Sequence, residues 1–220
     1  MRLERWISPA GRTRWLTILD PGEEATYAAA TRLALARPLV GPRSFGHPLG
    51  SRPWPSARRA WSRTIRAAVT PGALVVVNDV ASCYPSIGER ALRIAVRNAG
   101  GFLDPVLAAL HRCHGLGIDG LPIGPAPSAH LAEAVLAIAD DRARAAGLAP
   151  IRWVDDVVFA GDRGAVLRAE RAWLEALGDL GLHGNDAKRR SFVSDGGDIL
   201  ALIGGTSVPG GDRRGIIRTS

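Results

Sequence analysis

The sequence predicts an α+β fold in which one β-sheet is covered by helices on one face. Short, apolar, β-branched runs at residues 73–77 and 151–160 are typical of a buried strand and a hairpin. Segments with apolar residues every three to four positions, typical of amphipathic helices, lie between and after these runs. The resulting order is strand, helices, hairpin, helix and a last hairpin, which favours a sheet with helices layered on it.

The first 72 residues predict one strand and two helices. The strand is expected over residues 15–19 and the helices over 23–36 and 56–69. Residues 37–55 are rich in Pro and Gly, which indicates an irregular loop. Its arginines and rings could bind phosphates and stack on bases, although an ordinary basic loop has the same composition. These side chains are Arg43, Phe45, His47, Arg52 and Trp54.

The run at residues 73–77 predicts a buried strand that brings Asp79 to its end. A helix is expected over residues 88–99, and residues 100–120 show a mixed pattern. The His and Cys side chains there lack the fourth ligand and the spacing of a zinc site, so a structural or surface role is expected. They are His111, Cys113 and His114.

Residues 120–128 contain three prolines and two glycines and precede a helix predicted over 129–146, with Ser128 as its N-cap. Such a loop lets backbone approach a ligand closely, and the start of a helix favours anions. Asp140 and Asp141 lie inside this helix, where we expect them to be solvated or salt-bridged.

Asp155 and Asp156 mark the turn of the hairpin at residues 151–160. Adjacent strand residues point to opposite faces, so both carboxylates serve one site only if the backbone bends between them. The alternative interpretation is a solvated turn, which Asp also favours. The prediction ends with a helix over 164–180, a turn over 182–188 and a last hairpin of residues 191–193 with 199–203.

The composition indicates a polyanionic partner. The formal net charge is +7, the sequence pI is about 10.8, and Lys188 is the one lysine among 28 basic residues. Nucleic acid is a better candidate than membrane, because no basic amphipathic helix stands out. The two cysteines suggest a reducing compartment, and no signal peptide or membrane-spanning run is evident, so a cytoplasmic protein is expected.

Asp79, Asp155 and Asp156 converge if the strand that ends at Asp79 lies beside the hairpin. Three close carboxylates repel one another unless cations neutralise them. Hard oxygen ligands suit Mg²⁺, with Mn²⁺ as an alternative. Two such ions can clamp the attacking and leaving oxygens of a displacement at phosphorus. A basic protein with this site is expected to transfer nucleotidyl groups on nucleic acid.

The residues around these carboxylates resemble the motifs of reverse transcriptases. Residues 79–87 are similar to motif A, and residues 120–133 to motif B. Residues 153–156 resemble the aromatic-x-Asp-Asp of motif C, and residues 182–188 resemble motif D. The motifs occur in the family's order across about residues 73–205. Their form is most similar to bacterial abortive-infection and defence-associated reverse transcriptases.

The resemblance implies an RNA-directed DNA polymerase that uses two Mg²⁺ ions, an RNA template and deoxynucleoside triphosphates, in a bacterial antiviral defence system. It implies a polymerase palm, a ferredoxin-like sheet, over residues 73–205. Residues 1–72 would be a reduced fingers-like region and residues 206–220 a tail. Only fifteen residues follow Gly205, too few for a thumb. A protein partner, a structured RNA or a second copy of the chain is therefore expected to supply one.

The resemblance also implies roles for single residues. Asp79, Asp155 and Asp156 would hold the metal ions, with help from the carbonyl of Val80. Lys188 would protonate the departing pyrophosphate.

Tyr84 would be the steric gate that rejects a 2′-hydroxyl, with a core aromatic as the alternative. Gly124, Pro125 and Ser128 would shape the nucleotide and template pocket. For triphosphate contacts the candidates are Arg52, Arg58, Arg59 and Arg63.

Three positions depart from the family pattern. Ile123 stands where many members have glutamine, Trp153 replaces the usual Tyr or Phe, and Arg189 follows the lysine where Thr is common. Together with the missing thumb, these departures leave a second hypothesis open, a palm-like subunit that binds nucleic acid in a polymerase complex without catalysis. A third, a nucleotidyl cyclase, rests on the sequence at residues 196–199, but Ile199 stands where that class needs a metal-binding Glu.

Overall fold

The computed structural model describes residues 1–7, 13–46 and 54–197 of the 220-residue chain. The strands are β1 (Arg2–Ile7), β2 (Thr13–Ile18), β3 (Leu74–Asp79), β4 (Ile151–Trp153), β5 (Asp156–Gly161) and β6 (Arg190–Val193). The helices of this described part are α1 (Pro21–Ala34), α2 (Trp54–Ala68), α3 (Cys83–Ser86), α4 (Glu89–Ala99), α5 (Asp104–His114), α6 (Ala126–Ala145) and α7 (Arg163–Asp179). The predicted α+β class is confirmed. Among these helices none has the length and apolar character needed to cross a membrane.

The main sheet has the strand order β4-β5-β3-β6, and every neighbouring pair is antiparallel. Along the chain, β3 leads through helices to β4, and β5 leads through α7 to β6. Each of these β-α-β units is split by a strand of the other unit. As a result β3 and β5, which carry the acidic residues at their ends, are the two central strands and lie side by side.

Helices cover both faces of the sheet, which corrects the prediction of a single covered face. On one face, Phe159 of β5 packs against Trp173 of α7, with ring centroids 6.1 Å apart. On the other face, Val75 and Val77 of β3 pack with α2, including Trp61. All six residues of β3 are buried. A strand with a continuous apolar run has no side suited to water, so it needs cover on both faces.

Several elements differ from their predicted limits. β1 and α5 were not predicted, because β1 is mostly charged or exposed and α5 lies in the mixed region. α6 begins at Ala126, and Pro125 rather than Ser128 is its N-cap. The φ of −61° that proline imposes suits the start of a helix. β6 pairs with β3, while residues 199–203 of the predicted last hairpin lie outside the described residues.

The hairpin of β1 and β2 lies on the loop that precedes α6. The backbone N–H of Thr17 donates to the carbonyl of Ile123 at 2.7 Å. At Gly124, whose φ is +121°, an added Cβ would lie 3.0 Å from the carbonyl oxygen of Thr17. Glycine therefore allows both the turn and the close approach of the two segments.

Arg152 of β4 is fully buried and joins three parts of the fold. Its Nε donates to Asp140 and its Nη2 to Glu133, both at 2.7 Å, and both carboxylates belong to α6. Its Nη1 donates to the carbonyl of Val154 at 2.9 Å, in the turn between β4 and β5. Glu133 also accepts hydrogen bonds from the backbone N–H of Gly41 and from the Ser44 hydroxyl. Of the acidic pair in α6, Asp140 is thus buried and ion-paired, whereas Asp141 is exposed.

We predict that Arg152→Ala lowers the free energy of unfolding by about 3–5 kcal/mol, because it leaves two buried carboxylates without their cation. Arg144→Ala is the matched control, since Arg144 pairs with Asp141 on the surface and its loss is expected to change stability by less than about 1 kcal/mol. Urea unfolding of both variants measures the difference. Equal midpoints for the two variants would contradict the structural role of Arg152.

Candidate active site

The register of β3 and β5 places Asp79 directly opposite Asp156. Directly opposed residues share a sheet face, with Cβ atoms about 4.5–5.5 Å apart. Trp153 and Asp156 are also cross-strand partners, so the turn between β4 and β5 consists of Val154 and Asp155. Two like charges face each other across the strands, and a third lies on the adjoining turn. The three predicted carboxylates therefore meet at one end of the sheet.

The backbone is strained on two sides of this site. Val154 has a φ of +55° and Ser82 a φ of +45°, and among the described residues these are the only non-glycine residues with positive φ. Such a conformation costs about 1–3 kcal/mol and is exceptional for a β-branched residue. The hydrogen bond from Arg152 to the Val154 carbonyl holds the turn, and with it Asp155, in this geometry.

Asp79 is held by the turn that follows α7. Lys188 Nζ donates to Oδ2 of Asp79 at 2.7 Å, and Asn185 Nδ2 donates to Oδ1 at 2.9 Å. The backbone N–H of Asn185 also donates to the carbonyl of Asp79 at 2.7 Å. Sequence reasoning placed Asn185 in motif D but gave it no role. Its position three residues before Lys188 was the available signal.

Arg189 ties the turn that carries Asn185 and Lys188 to helix α7. Its guanidinium makes two hydrogen bonds to Glu170 of α7, at 2.7 and 2.9 Å, and Asn78 of β3 donates to the same carboxylate at 2.9 Å. A bidentate arginine–carboxylate pair restricts orientation as well as distance. Arg189 therefore helps to hold Lys188 against Asp79.

The carboxylates border an open cavity of about 670 Å³. Tyr84, Gly124 and Pro125 line it, as do Val80 and Lys188.

Ser128 does not line this cavity. It is fully buried, and its hydroxyl shares a hydrogen bond of 3.2 Å with Tyr27 in the core. The structure does not bring Ser128 to the cavity, because α6 begins earlier than predicted, at Ala126, and this residue lies in its buried part.

The loop before α6 packs directly on the segment that carries Tyr84. Leu121 N–H donates to the carbonyl of Tyr84 at 2.9 Å. Gly120 has a φ of +58°, and a Cβ there would lie 2.3 Å from the carbonyl oxygen of Pro85. The wall of the cavity near Tyr84 therefore depends on glycine at position 120.

The arginines at the cavity are only partly those that the sequence suggested. Arg14 of β2 lines the cavity and was missed, because the N-terminal pattern was weak. Arg58 of α2 does not line the cavity, but its charge opposes part of the rise in the pKa of Asp156 that burial and the neighbouring carboxylates cause. Arg59 and Arg63 belong to α2 but do not line the cavity, and Arg52 lies outside the described residues.

Desolvation and neighbouring charge disfavour ionisation of Asp155 and Asp156. Although its side chain reaches solvent, Asp156 is partly desolvated by the surrounding protein, and this effect with the charges of Asp155 and Asp79 raises its pKa to about 6. Burial and the charge of Asp79 likewise raise the pKa of Asp155. Lys188 opposes both shifts, but it does not cancel them. A site with an excess of close negative charge gains most from a bound cation.

The donor chemistry fits a hard divalent cation, since carboxylate oxygens border an open cavity that can admit water and phosphate. A ready-formed cage is not present in the described part of the chain, where no three Asp, Glu, His or Cys side chains are grouped closely enough to hold a metal. The Lys188 ammonium instead neutralises Asp79. Binding of an ion therefore requires a local rearrangement of these side chains.

No protein-family model matches the chain, and a comparison with curated proteins finds no match.

We predict that Asp156→Asn stabilises the protein in EDTA by about 0.5–1 kcal/mol, because it removes one of two opposed like charges. The solvent-open position of Asp156 keeps this effect modest. In excess Mg²⁺ the wild type is expected to gain more in melting temperature than the variant, since only the wild type retains all three carboxylates.

The control is Asp141→Asn, which removes an exposed carboxylate of α6. Its melting temperature is expected to respond to Mg²⁺ as the wild type does. Destabilisation by Asp156→Asn in EDTA would contradict the proposed repulsion.

Proposed function

We propose that this chain is an RNA-directed DNA polymerase that adds deoxynucleotides with the help of two Mg²⁺ ions. One observation carries the proposal: Asp79 and Asp156 are directly opposed on adjacent central strands, with Asp155 on the adjoining turn. These are the residues that the motif resemblance assigns to the metal ions. Mn²⁺ is an alternative cation.

The topology supports the proposal. A β-α-β-β-α-β chain with interleaved units is the ferredoxin-like arrangement, which the resemblance implies for a polymerase palm over residues 73–205. The motif A and motif C segments come from β3 and the β4–β5 turn, so the palm assignment and the carboxylate geometry support each other. Fold alone would not define the activity.

The bound ions would activate the attacking hydroxyl and neutralise the leaving phosphates. Asp79, Asp155 and Asp156 would hold them, with the Val80 carbonyl as a further oxygen ligand. Lys188 supplies a proton to the leaving pyrophosphate, a task for which an ammonium is suited and a guanidinium is not.

Two cavity residues orient the nucleotide. The ring of Tyr84 lies against the sugar and excludes a 2′-hydroxyl. Arg14 contacts phosphate, since it is a permanently charged side chain that lines the cavity and Arg fits phosphate oxygens well. Gly124 and Pro125 limit the pocket on the side of α6.

The antiviral defence system rests on the motif resemblance alone, and the cytoplasmic location rests on the low cysteine content. A partner protein, a structured RNA or a second copy of the chain would bind the primer–template together with this chain.

We expect the purified protein, with Mg²⁺, labelled deoxynucleotides and primed RNA, to extend the primer. Asp156→Asn is expected to reduce extension by at least about 100-fold, since it removes a charge from the metal site. Asp141→Asn is the matched control and is expected to extend as the wild type does. Denaturing gels of the labelled primer measure the rates.

Product formed equally well without RNA would instead indicate untemplated synthesis by the same site. Extension by a reconstituted complex that survives Asp79→Ala and Asp155→Ala together would contradict catalysis by this chain. It would favour the alternative of a nucleic-acid-binding subunit.

We predict that Tyr84→Ala raises incorporation of ribonucleotides relative to deoxynucleotides by about tenfold or more, because the ring no longer occupies the space of the 2′-hydroxyl. Tyr84→Phe keeps the ring and is expected to keep the wild-type preference. Single-nucleotide extension with matched ribo- and deoxynucleotides measures the ratio. An unchanged ratio in Tyr84→Ala would assign Tyr84 to the core.

A further inference from the structure

Three tryptophans and one arginine form a continuous stack beside the carboxylates, here called the tryptophan stack: Trp54, Arg58, Trp61 and Trp153. Trp54 meets Trp153 edge-on, with ring centroids 5.1 Å apart and an interplanar angle of 84°. The Arg58 guanidinium lies over Trp61 at 4.1 Å and over Trp153 at 4.9 Å. Such edge-on and cation–π contacts fix the ring positions.

The three rings differ sharply in exposure. Trp61 is 4% exposed and Trp153 is 8% exposed, as expected for core residues. Trp54 is 65% exposed. A large ring that rests edge-on against the buried Trp153, yet is left open to solvent, offers a surface to a flat partner.

The open ring adjoins the candidate active site. Trp54 and Trp153 both line the cavity that contains Asp155 and Asp156. Trp153 is also the cross-strand partner of Asp156, so the two side chains are neighbours on one sheet face. One ring therefore separates Trp54 from the carboxylates.

The charges beside the stack suit a nucleotide strand. Arg58 lies at the centre of the stack, Arg14 lines the cavity wall, and Lys188 lines it beside Asp79. An exposed aromatic ring next to arginines is the pattern by which proteins bind single-stranded nucleic acid without sequence preference. The base stacks on the ring, and cations contact the phosphates.

We propose that Trp54 is a stacking site for a base of the single-stranded nucleic acid that reaches the carboxylates. This inference rests on the proposed function and specifies one substrate contact of the same site. Trp153 and Arg58 act as positioning residues that hold the Trp54 ring. Because every base has an aromatic face, the contact tolerates any sequence.

The test measures binding of a fluorescein-labelled oligodeoxyadenylate by anisotropy, with Mg²⁺ present and no nucleoside triphosphates. Trp54→Ala is expected to weaken binding by about 5- to 100-fold. Trp54→Phe keeps an aromatic face and is expected to retain most of the affinity. Phe102→Ala is the matched control, since Phe102 is 72% exposed but does not line the cavity.

The dependence of binding on salt separates stacking from charge. Trp54→Ala is expected to leave the slope of log K against log salt unchanged, because no phosphate contact is lost. Arg14→Ala is expected to reduce that slope by about 0.7 for the one phosphate it contacts on a single strand. A reduced slope for Trp54→Ala would overturn the assignment of stacking.

Competition with free deoxyadenosine triphosphate distinguishes the source of the base. If the free nucleotide binds in a Trp54-dependent manner and the oligonucleotide does not, the ring serves the incoming nucleotide and the strand assignment is overturned. Wild-type affinity of Trp54→Ala for the oligonucleotide overturns the stacking site altogether.

The stacking site and the polymerase activity have separate readouts, binding and primer extension. A wild-type protein that binds through Trp54 but extends no primer would support the stacking site and contradict the polymerase, whereas normal extension with Trp54-independent binding would support the polymerase and contradict the stacking site. In the expected case Asp156→Asn loses extension and keeps Trp54-dependent binding.

Discussion

The candidate active site depends on one buried cation. Arg152 has no contact with solvent, and its three nitrogen donors are divided between two carboxylates of α6 and the carbonyl of Val154. Together with the β4–β5 pairing across the turn, the hydrogen bond to that carbonyl holds Val154 at a φ of +55°. The guanidinium thus couples the interior of the helical layer to the turn that carries Asp155. The two carboxylates share this one cation, and burial of the cluster is tolerable only because its members pair with one another.

At the ends of β3 and β5, the side chains that would pack best differ from those that a metal site needs. Packing would favour apolar side chains at the ends of β3 and β5, where instead Asp79 and Asp156 oppose each other. The structure offsets part of this repulsion with Lys188 and Asn185, which are held by a turn that Arg189 ties to α7. We expect this concentration of negative charge to lower stability at this end of the sheet, as is common where function and stability compete.

Sequence reasoning succeeded where a pattern is local. The apolar runs of β3 and of the β4–β5 hairpin gave the central strands, and the acidic residues at their ends gave the core of the site. It failed where partners are distant along the chain. Arg14 lies on a hairpin whose faces both mix charged and aromatic residues, so no periodicity identified it. The helical position of Asp140 is predictable, but its buried ion pair with Arg152 is not, because Arg152 follows twelve residues later on a different element.

The two-residue turn between β4 and β5 limits how this chain can vary. Strand side chains alternate between faces, so one inserted residue near Trp153 would move Asp156 to the opposite face or separate it from Asp79. Length changes are easier to accommodate at residues 115–117, just after α5, which are exposed and whose backbone N–H groups donate only to the end of that helix. Descendants of this sequence are therefore free to lengthen that segment, whereas the spacing from Trp153 to Asp156 must be inherited intact.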